Sequence, residues 1–180
     1  MGRIKKILPV KLICGLIAQN ENNFLAAQGL LKRKFARIDY VSPVFDFKLT
    51  DYYEKEFGSN LKRQFLSFSK LIDPGKLPAI KIATNKIESK YFRNGMRLVN
   101  MDPGYISASK LVLATTKDYS HRLYIQKGIF AEVTLYYRNN TFNPWEWTYT
   151  DYKSAEYIET FNAVRKIYMS QIKNFRNKIY

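Results

Sequence analysis

"VKLICGLIAQNENNFLAAQGLLKRK", residues 10–34, sets the plan of this chain. Val10–Ala18 is an apolar run interrupted by Lys11 and Gly15, then closed by polar residues. Its length suits a strand buried on both faces better than a helix. Asn20 or Asn22 then caps a helix over about 21–36, with Phe24, Ala27, Leu31 and Phe35 at helical spacing. Lys32-Arg33-Lys34 fall where the helix macrodipole favours cations.

The same order follows downstream. Ile38–Phe47 reads as extended, interrupted by Pro43, and residues 50–59 as a short helix or turn closed by Gly58. Leu61–Leu71 alternates as a strand, with Leu61, Arg63, Phe65 and Ser67 on one side. The string Asp73-Pro74-Gly75 stops it, a helix runs over about 76–92 to Asn94-Gly95, and Arg97–Met101 is a strand stopped by a second Asp-Pro-Gly. Two strand–helix–strand units in succession match a split βαβ plan. Ser107–Thr116 reads as a short helix, and three strands follow over about 121–126, 129–138 and 141–148. Residues 154–177 carry Tyr157, Phe161, Val164, Tyr168, Ile172 and Phe175 on one helical stripe. The expected fold is therefore α+β: a ferredoxin-like split βαβ core, an antiparallel β-meander and a C-terminal amphipathic helix, in a single domain over 1–180.

The loop Gln126-Lys127-Gly128 sets the register of the meander. A three-residue turn pairs Ile125 with Ile129, Leu123 with Ala131 and His121 with Val133 on an apolar face. Tyr124 then pairs with Phe130, and Arg122 with Glu132, on the other. Asn139-Asn140 suits a type I′ turn, which puts Trp145 and Trp147 on the Tyr124–Glu132–Tyr136 face. That aromatic strip reads as core, because large exposed apolar patches are uncommon on monomers.

Charge narrows the partners. The formal net charge is +15, and it collects at the ends: residues 1–37 contribute +7 and 153–180 contribute +4. Such a surface attracts polyanions, so nucleic acid or a nucleotide is the expected partner class. The basic, apolar start has the outline of a signal peptide, but Pro9 and Lys11 interrupt it and it reads as the first strand. No apolar run reaches bilayer length, so no membrane partner is expected. A lone Cys14, inside an apolar run, suits the reducing cytoplasm.

Four long strings stand in this order along the chain: "TDYYEKEFGSNLKRQFLSFSKLIDPG", "VNMDPGYISASKLVLATTKDYSHRLYI", "GIFAEVTLYYR" and "WTYTDYKSAEYIETFN". On these the chain resembles the bacterial family called domain of unknown function 4416, over about residues 9–172. The resemblance implies no established activity, and some members are labelled GTP-binding proteins. A P-loop GTPase needs G-x-x-x-x-G-K-[ST], and no such string occurs here. "TNKIE" at 84–88 is only loosely similar to a guanine-reading motif.

The best site candidate is "NMDPGYISASKLVLATTKDYSHR", residues 100–122, which holds the only His. With a helix at 107–116, Lys110 and Lys117 share one face, and Arg122 joins them around a phosphate. Asp102, on a sharp turn, and Asp118 are the candidate base or metal ligand, with His121 as a third catalytic candidate. The plainer alternative makes His121 a structural residue fixed by Asp118. One His and one Cys give no zinc set; an Mg²⁺ site from Asp102, Asp118 and Glu132 is the oxygen-rich alternative. No cofactor is identifiable. Lys81 joins the ligand-binding candidates because Lys81 and Lys110 each lie eight residues after the Asp of an Asp-Pro-Gly. Trp145 and Trp147 join them as base-stacking candidates. Two function classes result: a cytoplasmic module binding RNA, a nucleotide or another phosphorylated ligand, or a small enzyme acting on a phosphorylated substrate at 100–132. A structural or assembly protein is the third.

Overall fold

The computed structural model describes residues 2, 7–47, 60–93 and 96–176. In chain order the elements are β1 (Val10–Ala18), α1 (Glu21–Lys34), β2 (Ile38–Val41), β3 (Phe45–Asp46), β4 (Lys62–Ile72) and α2 (Leu77–Glu88). There follow β5 (Phe92–Arg93), β6 (Met96–Arg97), β7 (Val99–Ile106), β8 (Lys110–Thr115), β9 (Leu123–Gln126), β10 (Ile129–Arg138), β11 (Thr141–Pro144) and α3 (Ala155–Arg176). The class is α+β. The expected helix or turn at 50–59 and the Asn94-Gly95 stop lie outside the described residues.

One antiparallel sheet runs in the order β11-β10-β8-β7-β1-β4-β2, with β3 beside β4 and β9 beside β10. β5 and β6 pair separately. The central position of β1 explains its composition. Leu12, Cys14, Leu16 and Ala18 pack with Phe24, Ala27 and Leu31 of α1 and Ile80 of α2. Ile13 points the other way, into a cluster with Phe65, Ile106 and Leu111 beneath Tyr157, Phe161 and Val164 of α3. The molecule is thus three layers deep: α1 and α2, the sheet, then α3. Lys11 belongs to the α3 side, where its ammonium donates to Asp39 and to Gln171 Oε1 at 2.8 Å. Burial lowers its pKa, and the hydrogen bond and charge of Asp39 partly oppose that.

The helix ends follow ordinary rules. Asn20 Oδ1 accepts from the Asn23 N–H at 3.0 Å, so Asn20 caps α1. Ser154 Oγ accepts from the Tyr157 N–H at 3.3 Å at the start of α3. The Asp73-Pro74-Gly75 turn leads into α2, with Asp73 Oδ1 accepting from the Gly75 N–H at 2.7 Å.

The second Asp-Pro-Gly behaves differently, and here the sequence reading needs correcting. Asp102-Pro103-Gly104 lies inside β7, not at a turn, and Ser107–Thr116 is no helix. Residues 107–109 close a hairpin, with the Ser107 N–H donating to Lys110 O at 2.9 Å, and Lys110–Thr115 is the strand β8. Leu111 packs toward α3, whereas Val112 and Ala114 pack with Leu77 of α2. A strand covered on both faces shows no polar alternation, so its apolar run resembles a short buried helix.

The meander also shifts. Lys127 and Gly128 both have positive φ, 54° and 73°, and form a two-residue turn that pairs Gln126 with Ile129. A bulge then restores the expected Tyr124–Phe130 and Leu123–Ala131 pairs. His121 lies ahead of β9, and Val133 pairs with Val112 instead. Asn139 and Asn140, at φ 52° and 61°, make the expected turn, but β11 ends at Pro144 and both tryptophans lie beyond it.

Candidate functional site

The site begins where the sheet parts. β7 pairs with β1 along its whole length, but with β8 only from Gly104 to Ile106. Pro103 has no N–H to offer a ladder. At Gly104 the two strands are in tight contact: a Cβ there would lie 2.3 Å from Val112 O. Beyond that point β8 continues beside β10 alone, as far as Thr115 opposite Phe130. The gap between Asn100 and Asp102 on one side and Leu113–Lys117 on the other opens a cavity of about 500 Å³. α2 contributes Lys81, Asn85 and Glu88 to it, and the segment before α3 contributes Tyr149–Tyr152.

The deep wall is built on Arg63 of β4, 4% exposed. Gly15 leaves it room, since a Cβ at that position would be 3.1 Å from Arg63 Nη1. The guanidinium lies among the rings of Phe47, Phe65 and Tyr152, at 5.0, 5.7 and 5.7 Å from their centroids. Nη1 donates to Asp102 Oδ2 at 3.1 Å and Nη2 to Asp151 Oδ2 at 3.3 Å. The Nε–H is buried with no hydrogen-bond partner among the described residues. Asp102 also accepts from Asn100 Nδ2 at 2.7 Å and faces the Lys81 ammonium at 3.7 Å. Lys81 itself donates to Met101 O at 3.0 Å. Glu88 accepts from the Met101 N–H and faces Arg97 at 3.9 Å.

These carboxyls are pushed apart in acidity. Burial alone works to raise Asp102, but Lys81, Arg63 and the Asn100 hydrogen bond outweigh it and hold its pKa below the ordinary value. At Asp151 burial prevails over the attraction of Arg63, and the pKa is raised. Burial likewise raises Glu88, against the opposing pull of Lys81. Asp102 therefore ionises more readily than Asp151, two carboxyls joined by one guanidinium.

The opposite wall is organised by Glu132 of β10. Arg122 donates from Nε to Glu132 Oε2 at 2.9 Å, as the sequence pairing anticipates. Its Nη1 donates to Lys117 O at 3.1 Å and its Nη2 to the Tyr149 hydroxyl at 2.9 Å. Thr134 Oγ1 donates to Glu132 Oε1 at 3.3 Å. His121 Nε2 lies 3.2 Å from Glu132 Oε2, behind the wall, with its ring stacked on Trp147 at 5.8 Å. It is not on an apolar strand face.

Of the residues singled out in the sequence, Lys81, Asp102, Lys117, Arg122 and Glu132 all line this one cavity. Lys110 does not: it is exposed at the start of β8, and because that segment is a strand, Lys110 and Lys117 do not share a helix face. Asp118 is exposed, and among the described residues His121 pairs with Glu132 rather than with Asp118. Among the described residues no group of three or more His, Cys, Asp or Glu side chains is placed to hold a metal, so Asp102, Asp118 and Glu132 do not form the Mg²⁺ set. The aromatic strip is corrected too. Trp145 and Trp147 stack on each other at 5.1 Å and 9°, and with Tyr124 and Tyr149 they are exposed rather than core.

Sequence reading missed Arg63, Glu88 and Asp151. Arg63 stood in plain view as a cation alternating with Phe65 in a strand, whereas Asp151 resembled ordinary helix-capping punctuation. No curated protein and no solved structure matches the chain. A family model does match, over residues 8–168. The chain belongs to the family described as Domain of unknown function (DUF4416).

Proposed function

We propose that this protein binds a small phosphorylated ligand in the cavity between β7 and β8, in the cytoplasm. The observation that carries this reading is one cavity lined by five cationic side chains, Arg63 among them. Cations gathered around one hollow attract an anion and donate charge-assisted hydrogen bonds to its oxygens. Lys81, Arg97, Lys117 and Arg122 line the same space, which has the volume of a small-molecule site rather than a surface for duplex nucleic acid. Asp102 and Asp151 give such a site the means for acid–base chemistry on its ligand, which is the enzyme form of the same reading.

Calorimetric titration with inorganic phosphate, ribose 5-phosphate and ribose tests it. Phosphate-dependent binding is expected, weakened about 10-fold or more by Lys81→Met, the loss of one charged hydrogen bond. Equal binding of ribose and ribose 5-phosphate, or none of either, would refute it.

A second reading has its own observation. Tyr119, Leu123, Tyr124, Ile125, Trp145 and Trp147 form an exposed run of large apolar side chains, with Lys127 and Arg138 exposed in the same stretch. Single-stranded RNA suits such a surface, and that reading requires salt-sensitive binding lost in Trp145→Ala.

A further inference from the structure

Among the described residues three aromatic side chains line the cavity: Phe47, Tyr149 and Tyr152. Two of them are already engaged. Arg63 covers Phe47 and Tyr152, and Tyr152 also stacks on Phe161 at 5.7 Å and 7°. Tyr149 differs. The residue is 48% exposed, and among the described residues neither a ring nor a guanidinium lies against its face. Yet it is not loose. Its hydroxyl accepts from Arg122 Nη2 at 2.9 Å, and Arg122 is fixed in turn by Glu132 and Lys117 O. On its N-terminal side Thr148 Oγ1 accepts from the Trp145 N–H at 2.8 Å and donates to Thr134 O at 2.6 Å. On its C-terminal side Tyr149 O accepts from the Tyr152 N–H at 3.0 Å in a 3-10 turn over Thr150–Lys153. An open aromatic face held by hydrogen bonds at both ends is preorganised for stacking.

Depth assigns the two halves of a ligand. Arg63 and Lys81 are 4% and 7% exposed and occupy the deep end with Asp102 and Asp151. An uncharged ring pushed in there would desolvate paired charges without replacing their hydrogen bonds. An oxyanion brings acceptor atoms for Arg63 and Lys81, and their attraction opposes the repulsion from Asp102 and Asp151. At the mouth, Tyr149, Thr116 and Lys117 are exposed. We propose that the ligand is a nucleotide-like compound whose planar heteroaromatic ring stacks on Tyr149 while its phosphate lies toward Arg63 and Lys81. This rests on the phosphorylated-ligand reading above and narrows it to one substrate class. Tyr149 is then a specificity-determining residue.

The test compares ribose 5-phosphate with adenosine, guanosine, cytidine and uridine 5′-monophosphates by calorimetry on the full chain. At least one nucleotide is expected to bind about 5- to 100-fold more tightly than ribose 5-phosphate, the range of one base–aromatic stack. Tyr149→Ala is expected to erase that difference. Tyr149→Phe, which loses the Arg122 hydrogen bond but keeps the ring, is expected to retain it. If ribose 5-phosphate matches every nucleotide, or if Tyr149→Ala leaves the gap intact, the ring assignment is overturned and the phosphate reading survives. If ribose 5-phosphate and the nucleotides all fail to bind, both are overturned.

Discussion

Gly104→Ala puts the parting of the sheet to a quantitative test. The added methyl would lie 2.3 Å from Val112 O and 2.8 Å from Leu113 Cδ2. The leucine is able to rotate away, but the carbonyl belongs to a backbone held by β10 through the Val112–Val133 pair. β8 must therefore move from β7, from β10, or both. Overpacking of this kind costs about 1–3 kcal/mol, and a fixed backbone atom places this case near about 3. For a chain of this length that corresponds to a fall in Tm of roughly 6–12 °C. Thermal unfolding followed by circular dichroism measures it. Gly29→Ala is the control, because it sits in the interior of α1 and its Cβ would be 3.7 Å from Arg33 Nη1, an ordinary contact. Replacing a helical glycine stabilises by roughly 0.5–1 kcal/mol, so this variant should melt higher than the parent. If Gly104→Ala melts within about a degree of the parent, β7 and β8 do not approach as described, and the origin of the cavity must be sought elsewhere.

Three further outcomes follow from the same contacts. Glu88 binds its proton more tightly folded than unfolded, because burial raises its pKa above 4.5. Its contribution to stability therefore improves as pH falls through the raised value. Glu88→Gln, which keeps an acceptor for the Met101 N–H, should be more stable than the parent at pH 8, with the advantage shrinking toward pH 5 in urea titrations; an advantage that grows on acidification would be the wrong sign. Glu132→Ala strands the Arg122 guanidinium, 2% exposed, and should cost about 3–5 kcal/mol, part of it recovered by adding Arg122→Met; urea unfolding of the single and double variants checks this, and a double variant no more stable than the single one would count against it. Cys14 is fully packed, and burial pushes its thiol well above the usual range, so an aromatic disulfide reagent should label it only on unfolding. Rapid labelling of the native chain would contradict the buried position of β1.

What the sequence made legible was whatever a single period or cap determines. Val10–Ala18 lies between two layers and is apolar at nearly every position, and α1 begins at a capping asparagine, so both could be read directly. The Arg122–Glu132 ion pair is present although the turn is one residue shorter than expected, because the bulge after Ile129 restores the register. Residues 102–117 were misread for two physical reasons. Asp-Pro-Gly is strong turn punctuation, yet here Pro103 stands in a strand where the neighbouring β8 has already departed. Leu111–Ala114 is buried on both faces, which removes the alternation that marks a strand. The cavity itself arises from long-range placement: Arg63, Lys81, Asp102, Glu132 and Asp151 come from five separate segments, and no local pattern announces their meeting. The aromatic strip shows the limit of a statistical expectation, since Trp145 and Trp147 follow β11 without any helix to cover them.

The most direct measurement is a crystal structure of the protein soaked in tungstate, an electron-dense analogue of phosphate. An anomalous peak between β7 and β8, within hydrogen-bonding distance of the Arg63 guanidinium or Lys81 Nζ, is the predicted result. Tungstate bound only to exposed lysines, with the space beside Arg63 holding none, would contradict the account.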